Sequence, residues 1–305
     1  ARGQAVHWNG SAWKSAATST LSPIRAVWGR DSRNVWAAGD MGLMLKWDGT
    51  SWGPQSSPTL SDLNALWGAD GSNIWAAGSG GGIIRFDGTA WTTERSSSTA
   101  ALYGLAGSSA SEVWSVGDAG LVQRRNGMTW ENRAGGAVDQ YTSVWGSAAN
   151  NIWAVGGGGR ISHWDGTAWT ASQSGTTMAL NGVWGSDANN VWAVGAAGTL
   201  LKWDGSAWSA QSGGGTKPWR AVGGSSASDV WAVSIIGGVL HWDGSKWSVP
   251  SMATGTLNDL YGVWASDANN AWVVGAGGTI VRWGGSSCTA QASMTTSHLY
   301  AVWGK

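Results

Sequence analysis

The sequence predicts an all-β fold, a β-propeller of four-stranded antiparallel blades, and three observations support this prediction. The 305 residues include 27 Trp and 49 Gly, a bias that points to a periodic pattern. A motif of the form NVWAVG recurs every 39 residues, with one interval of 41, and motifs of the forms VWG and WDG share its register. Each repeat contains four short apolar segments separated by turns, as a propeller blade does. The NVWAVG series places its indoles at Trp36, Trp75, Trp114, Trp153, Trp192, Trp231 and Trp272.

Residues 180–211 illustrate the four strands of one repeat. Strand A (180–185, LNGVWG) and strand B (190–195, NVWAVG) are separated by Asp and Asn, whose side chains hydrogen-bond to nearby backbone in turns. Strand C (199–205, TLLKWDG) ends in Asp-Gly, a strong hairpin signal, and strand D (206–211, SAWSAQ) follows. The Gly of this hairpin occurs in every copy, so left-handed backbone is expected there. A second Gly opens strand C in every copy and indicates another backbone requirement.

The strand count predicts eight blades in a single domain spanning residues 1–305. Strands A, C and D occur eight times, whereas strand B occurs seven times. Seven full blades are expected over 24–298, and the eighth is split, with strands C and D from 1–23 and strand A from 299–305. A seven-bladed ring is the alternative, but it would leave apolar strands unpaired. A further alternative is that the chain is a fragment of a longer repeat protein.

The tryptophans are expected to form the core between blades. Twenty-six of the 27 occupy the four repeat positions, at VWG, NVWAVG, WDG and strand D. Trp219 lies outside them, in the one repeat where the VWG tryptophan is Gly223, which indicates a swap that conserves core volume. Cys288 replaces a strand D Trp and is expected to be a small buried apolar residue.

Two segments carry a family resemblance, 189–208 (NNVWAVGAAGTLLKWDGSAW) and 269–285 (NNAWVVGAGGTIVRWGG). They resemble the sialidase-like, Asp-box group of propeller repeats, and especially photosystem II assembly-factor-like propellers. The resemblance covers the whole chain and implies the fold, although Asp48 and Trp52 are four residues apart where the family has five. The resemblance does not imply sialidase activity, because no motif brings an arginine triad and a Tyr nucleophile together. The repeats are also similar in style to those of tryptophan-rich propeller lectins.

Composition excludes several functional classes. The 18 basic and 18 acidic residues cancel, which argues against nucleic-acid binding. No apolar run approaches the roughly 18 to 20 residues of a membrane helix, so no membrane insertion is expected. A single Cys excludes an internal disulfide and a Cys-based zinc cluster, and neither metal nor cofactor is expected. The first ten residues do not resemble a signal peptide, so a secreted or cell-surface protein would already have lost it.

The residue before the WDG tryptophan is basic in all eight copies. A structural role is expected, in which each pairs with a turn Asp or with a carbonyl of the next blade. A ring for an anionic ligand is the alternative, but strand C lies far from the axis. Exchange of His with Lys and Arg argues against metal ligation. The series is His7, Lys46, Arg85, Arg124, His163, Lys202, His241 and Arg282.

The second residue of strand A varies between copies and is expected near the mouth of the axial channel. Its Arg, Asn and Tyr side chains suit hydroxyl-rich ligands, and a solvated rim without a ligand is the alternative. The series is Arg25, Asn64, Tyr103, Thr142, Asn181, Arg220, Tyr261 and Tyr300.

Two functions remain open at this point. The first is a non-catalytic, lectin-like binding module, secreted or at the cell surface, that binds glycans or another surface ligand. The second is a structural or assembly protein in which a gap between Trp303 and His7 accepts a strand from a partner or another copy. No catalytic motif is present, so an enzyme is not expected.

Overall fold

A computed structural model describes residues 3–133, 139–251 and 256–305. It confirms the all-β propeller, with seven four-stranded antiparallel sheets and one two-stranded sheet in the described ranges. Within each blade the strands follow the order A, B, C, D, from the inside of the ring to the outside. Blades are numbered 1 to 7 along the chain.

The strands lie at equivalent positions in every blade; strands A and B have constant lengths of 8 and 6 residues, whereas strands C have 4 or 5 residues and strands D have 2 to 4. Strands A span Ile24–Asp31, Leu63–Asp70, Leu102–Ser109, Tyr141–Ala148, Leu180–Asp187, Trp219–Ser226 and Leu260–Asp267. Strands B span Asn34–Gly39, Asn73–Gly78, Glu112–Gly117, Asn151–Gly156, Asn190–Gly195, Asp229–Ser234 and Asn270–Gly275. Strands C span Met44–Trp47, Ile83–Phe86, Val122–Asn126, Ile161–Trp164, Leu200–Trp203, Val239–Trp242 and Ile280–Trp283. Strands D span Trp52–Pro54, Trp91–Glu94, Thr129–Asn132, Trp169–Ser172, Trp208–Ala210, Trp247–Ser248 and Cys288–Gln291.

Two smaller kinds of element complete the fold. A hairpin of Ala5–Trp8 and Trp13–Ala16 forms the two-stranded sheet. One-turn 3₁₀ helices join strands B and C at Asp40–Gly42, Ser79–Gly81, Asp118–Gly120, Gly157–Gly159, Ala196–Gly198 and Ala276–Gly278.

The glycine positions behave as the repeat pattern predicts. Gly49 in the hairpin between strands C and D of blade 1 has φ 103°, and Gly42, the last residue of the 3₁₀ helix that precedes strand C, has φ 69°. A Cβ at Gly42 would lie 1.9 Å from the carbonyl oxygen of Thr59, so the backbones there meet too closely for a side chain. The Asp48 carboxylate accepts the N–H groups of Thr50 and Ser51, and the pKa of Asp48 is lowered to about 2 by these bonds and the Thr50 hydroxyl.

The core lies between blades, as the tryptophan register predicts. Trp36 of strand B is 1% exposed and packs across the interface on Phe86 and Trp91 of the next blade, with ring centroids 4.6 and 5.5 Å apart. Trp219 joins the equivalent cluster between blades 5 and 6. Cys288 is buried, and burial raises the pKa of its thiol to about 11, so the thiol stays protonated.

An eighth, incomplete unit lies between blades 7 and 1. Residues 299–305 take the innermost position there, because the Trp303 ring lies over Gly29 just as Trp28 lies over Gly68 and Trp264 over Gly304. The strand predicted at 299–305 does not form as a hydrogen-bonded strand, since among the described residues no strand B, its partner in every complete blade, lies beside it. We call the hairpin and residues 299–305 the closing unit.

Candidate strand-acceptor cleft

A cavity of about 650 Å³ separates the two halves of the closing unit. His7, on the hairpin side, and Trp303, on the inner side, both line it. Blade 1 contributes Trp47 and Trp52, and blade 7 contributes Trp272. We call this cavity the acceptor cleft, because it occupies the place of strand B in a complete blade.

The ladder of a complete blade defines which residues face the cleft. In blade 1, Trp36 of strand B pairs with Trp28 on strand A and with Lys46 on strand C. The repeat register makes Trp303 equivalent to Trp28 and His7 equivalent to Lys46. A strand in the cleft would therefore have Trp303 and His7 on either side of its third residue.

The wall on the blade 1 side is a pair of indoles. The Trp47 and Trp52 ring centroids are 5.7 Å apart. In blade 5 the equivalent pair, Trp203 and Trp208, receives Trp153 from strand B of blade 4 at 4.9 and 5.3 Å. Among the described residues no strand B indole reaches Trp47 and Trp52. His7 leans over Trp47 instead, at 5.0 Å.

The basic series before the WDG tryptophan has a structural position, but its main partners differ from the two predicted. The Lys46 ammonium lies 5.1 Å from the Trp36 ring centroid, and the Arg282 guanidinium lies 5.2 Å from that of Trp272. His163 stacks on Trp153 at 4.0 Å. Each of these side chains covers the strand B indole of its own blade. The expected partners were a turn Asp or a backbone carbonyl of the next blade. Cations or histidines lie in the same way in the other complete blades, at Arg85, Arg124, Lys202 and His241.

The same side chains also reach the first residue of strand B. His163 Nε2 lies 2.8 Å from Asn151 Oδ1, and Arg85 Nη2 donates to Asn73 Oδ1 at 2.5 Å. His7 is exposed, whereas His163 is half-buried. Strand B of blade 4 covers His163, and among the described residues no equivalent strand lies beside His7. His7 is thus the one member of this series in a unit without strand B.

Most of the predicted rim residues are held by the protein itself. The amides of Asn64 and Asn181 donate to the Leu102 and Trp219 carbonyls of the next blade at 3.0 and 2.7 Å. Thr142 donates in the same way to the Leu180 carbonyl at 2.6 Å. Arg25 pairs with Asp40, and the Tyr103 hydroxyl donates to Asp118 at 3.1 Å. These contacts tie neighbouring strands and blades together.

The remaining three rim residues form a cluster beside the acceptor cleft. The Arg220 guanidinium lies 4.8 Å from the Tyr261 ring centroid, and Tyr261 stacks on Tyr300 at 5.1 Å. His298 meets both rings edge-on at 6.0 to 6.1 Å. Sequence reasoning missed His298, which precedes strand A, at a position as variable as the rim series itself. Tyr300 and His298 also line the cleft, so the cluster and the cleft are continuous.

The described residues contain neither a cluster of metal-ligating side chains nor a helix that could span a membrane. Across 3–133, 139–251 and 256–305, no three His, Cys, Asp or Glu side chains lie close enough to hold a metal ion. No helix in the described part of the chain has the length and apolar character to cross a membrane.

Solved structures of low sequence identity share the fold. The chain is similar to YCF48 bound to D1 peptide, with 15% identity, a TM-score of 0.58 and coverage of 75% of this chain and 80% of that one. It is similar to YCF48 from Cyanidioschyzon merolae at 16% identity, TM-score 0.60 and 77% and 86% coverage. It is also similar to the computationally designed Ika8 protein at 18% identity, TM-score 0.77 and 94% and 92% coverage.

These likenesses show the propeller fold and nothing finer. No family model matches the chain. No curated protein matches it either. The likeness to YCF48 agrees with the assembly-factor-like resemblance of the sequence, whereas the resemblances to sialidases and lectins stay expectations.

Proposed function

We propose that this protein is a non-catalytic binding module that accepts an extended peptide in the acceptor cleft. The peptide becomes strand B of the closing unit and pairs with Ala5–Trp8 on one side and with residues 299–305 on the other. The observation that carries the proposal is the cavity itself, which lies where each complete blade has its second strand.

Two strand edges favour this mode of binding. Among the strands that the structure describes, Ala5–Trp8 pairs with Trp13–Ala16 alone, so its other edge presents main-chain donors and acceptors to the cleft. Residues 299–305 belong to no sheet. A peptide between these edges gains main-chain hydrogen bonds on both sides, while side-chain pockets supply specificity.

The comparisons support peptide binding over sugar binding. YCF48 is a propeller with a structure in complex with a peptide. Three of the eight rim residues proposed to bind glycans instead hydrogen-bond to the main chain of the next blade. Glycan recognition by the rim, and a secreted or cell-surface location, therefore stay predictions of the sequence.

The test uses a peptide taken from this chain. Residues 148–156 (AANNIWAVG) include strand B of blade 4 and are equivalent to the nine residues that would follow Lys305 in a complete repeat. Calorimetry is expected to give one binding site, and hydrogen exchange is expected to slow at the amides of 5–8 and 299–305.

The matched control is a variant with AANNIWAVG appended after Lys305, which fills the cleft from the same chain. This variant is expected to bind no added peptide. Absence of binding to the unextended protein, or equal binding to both proteins, would refute the proposal.

A further inference from the structure

We infer that the acceptor cleft selects an extended polypeptide segment in which Asn or Asp is followed two residues later by Trp, with a small residue next. This inference rests on the proposed strand acceptance and names the partner's chemistry. It follows from three contacts that complete blades make and the closing unit lacks.

The first contact is the indole site on blade 1. Strand B indoles pack on the strand C and strand D rings of the next blade with repeated geometry, at 4.9 and 5.3 Å for Trp114 on Trp164 and Trp169. Trp272 packs in the same way on Trp8 and Trp13 of the closing unit, at 4.9 and 5.2 Å. Trp47 and Trp52 have the same arrangement and line the cleft. An incoming Trp fits this site by shape and ring stacking.

The second contact is the face of His7. In the two complete blades with His at this position, the imidazole lies flat on the strand B indole. His163 stacks on Trp153 at 4.0 Å and 22°, and His241 stacks on Trp231 at 4.1 Å and 17°. The His7 ring now lies 5.0 Å from the Trp47 ring, so it must turn off Trp47 before it can cover an incoming indole in the same way.

The third contact is a shared acceptor two residues before the Trp. Asn151 Oδ1 accepts from Trp153 Nε1 at 3.0 Å and lies 2.8 Å from His163 Nε2. Asp229 Oδ1 does the same for Trp231 at 2.9 Å and His241 at 2.8 Å. An Asn or Asp in the incoming strand would accept hydrogen bonds from both its own Trp and His7. The cleft would therefore recognise the Asn or Asp and the Trp together.

The residue after the Trp must be small. This position is Ala in five of seven complete blades and Ser or Val in the others. Its side chain is buried between strands, with Ala154 and Ala193 at 0% exposure. A large side chain here would meet close-packed neighbours.

The occupant is an extended segment rather than a strand of a folded second copy. Strand B of each complete blade is the second of four strands and is paired on both sides. A second copy could lend one only by dismantling a blade. The donor must therefore be an extended or unfolded segment.

The test compares four versions of the 148–156 peptide by calorimetry. Trp153→Ala is expected to weaken binding by at least ~100-fold, as for a buried anchor residue. Asn151→Ala is expected to weaken binding by ~10-fold or more, while Asn150→Ala, an exposed neighbour of the same type, leaves affinity unchanged.

A protein variant, combined with the Asn151→Ala peptide, completes a double-mutant cycle. His7→Ala is expected to weaken binding of the parent peptide by ~10-fold and to have little further effect on the Asn151→Ala peptide, because the two groups act together. His7 is exposed, so the variant should fold, and its melting temperature and circular dichroism check this.

The outcomes separate the inference from the proposal on which it rests. If the Trp153→Ala and parent peptides bind equally and protect the same amides, strand acceptance stands and the Asn/Asp-x-Trp inference is wrong. If no peptide binds, the proposed function itself fails. If native mass spectrometry without peptide shows a dimer that the 148–156 peptide splits, the occupant is a folded second copy and the inference of an extended segment is overturned.

Discussion

Completing the closing unit within one chain is expected to stabilise the whole ring. The perturbation is the AANNIWAVG extension after Lys305, and its matched control carries Ala at the position of the Trp. In blade 4 the corresponding strand is fully enclosed, with Ile152, Ala154 and Val155 at 0% exposure and Trp153 at 1%. The extension should become equally buried and remove two open strand edges.

The magnitude follows from the Trp. Truncating a buried Trp to Ala costs about 3–5 kcal/mol. The intact extension should therefore exceed the Ala control in unfolding free energy by about that amount, or by its full docking energy if the Ala version no longer docks. Because blades of a propeller are stable only against their neighbours, the gain should appear in one cooperative transition.

The assay is guanidinium unfolding followed by tryptophan fluorescence and by circular dichroism. The unextended chain, the intact extension, the Ala control and a nine-residue Gly-Ser extension are compared. Equal midpoints for the intact and Ala extensions would refute the reasoning, because they would show that no indole site is filled. A gain with the Gly-Ser extension would also contradict it.

Three further outcomes follow from the local contacts. Gly42→Ala should destabilise the protein by about 2 kcal/mol or more, and Gly10→Ala by less, because a Cβ at Gly42 meets the Thr59 carbonyl whereas one at Gly10 meets nothing within 4 Å; equal midpoints in urea would contradict this. Glu94→Gln should cost about 3–5 kcal/mol, since buried Glu94 binds Arg125 and the indoles of Trp75 and Trp130, and an unchanged melting temperature would count against that role. Five turn carboxylates have their pKa lowered to about 2 by backbone and hydroxyl donors, so the stability they contribute is complete above the ordinary pKa of 3.8 and is lost as pH falls through about 2. A variant with Asn at all five positions should lose this acid sensitivity in thermal melts. If that variant melts with the same pH dependence as the parent protein, the turns are not the source of the acid sensitivity. The five carboxylates are Asp48, Asp87, Asp165, Asp204 and Asp243.

The sequence alone was sufficient to predict the four-stranded blade. A strict repeat puts each residue type in one environment many times, so the burial of Trp36 or the turn at Gly49 is specified by every copy. The missing strand B could be found by counting, because the motif that contains it is absent once. His7 and Trp303 were identified as its neighbours for the same reason.

The contacts between blades were harder to predict. Register along one chain shows that Lys46 precedes Trp47, but not that Lys46 covers Trp36, since that contact depends on pairing between strands. The rim amides of Asn64 and Asn181 looked free for a ligand, yet the distance to the next blade's carbonyls is set by the twist and spacing of the ring. His298 carries no repeat signal and joins the Tyr261 and Tyr300 cluster only through the fold.

A crystal structure of the protein with the 148–156 peptide tests the central claim most directly. The account predicts a peptide strand hydrogen-bonded to both Ala5–Trp8 and residues 299–305, with its indole between His7 and the Trp47 and Trp52 rings. A peptide bound elsewhere on the ring, or an indole outside that site, would contradict it.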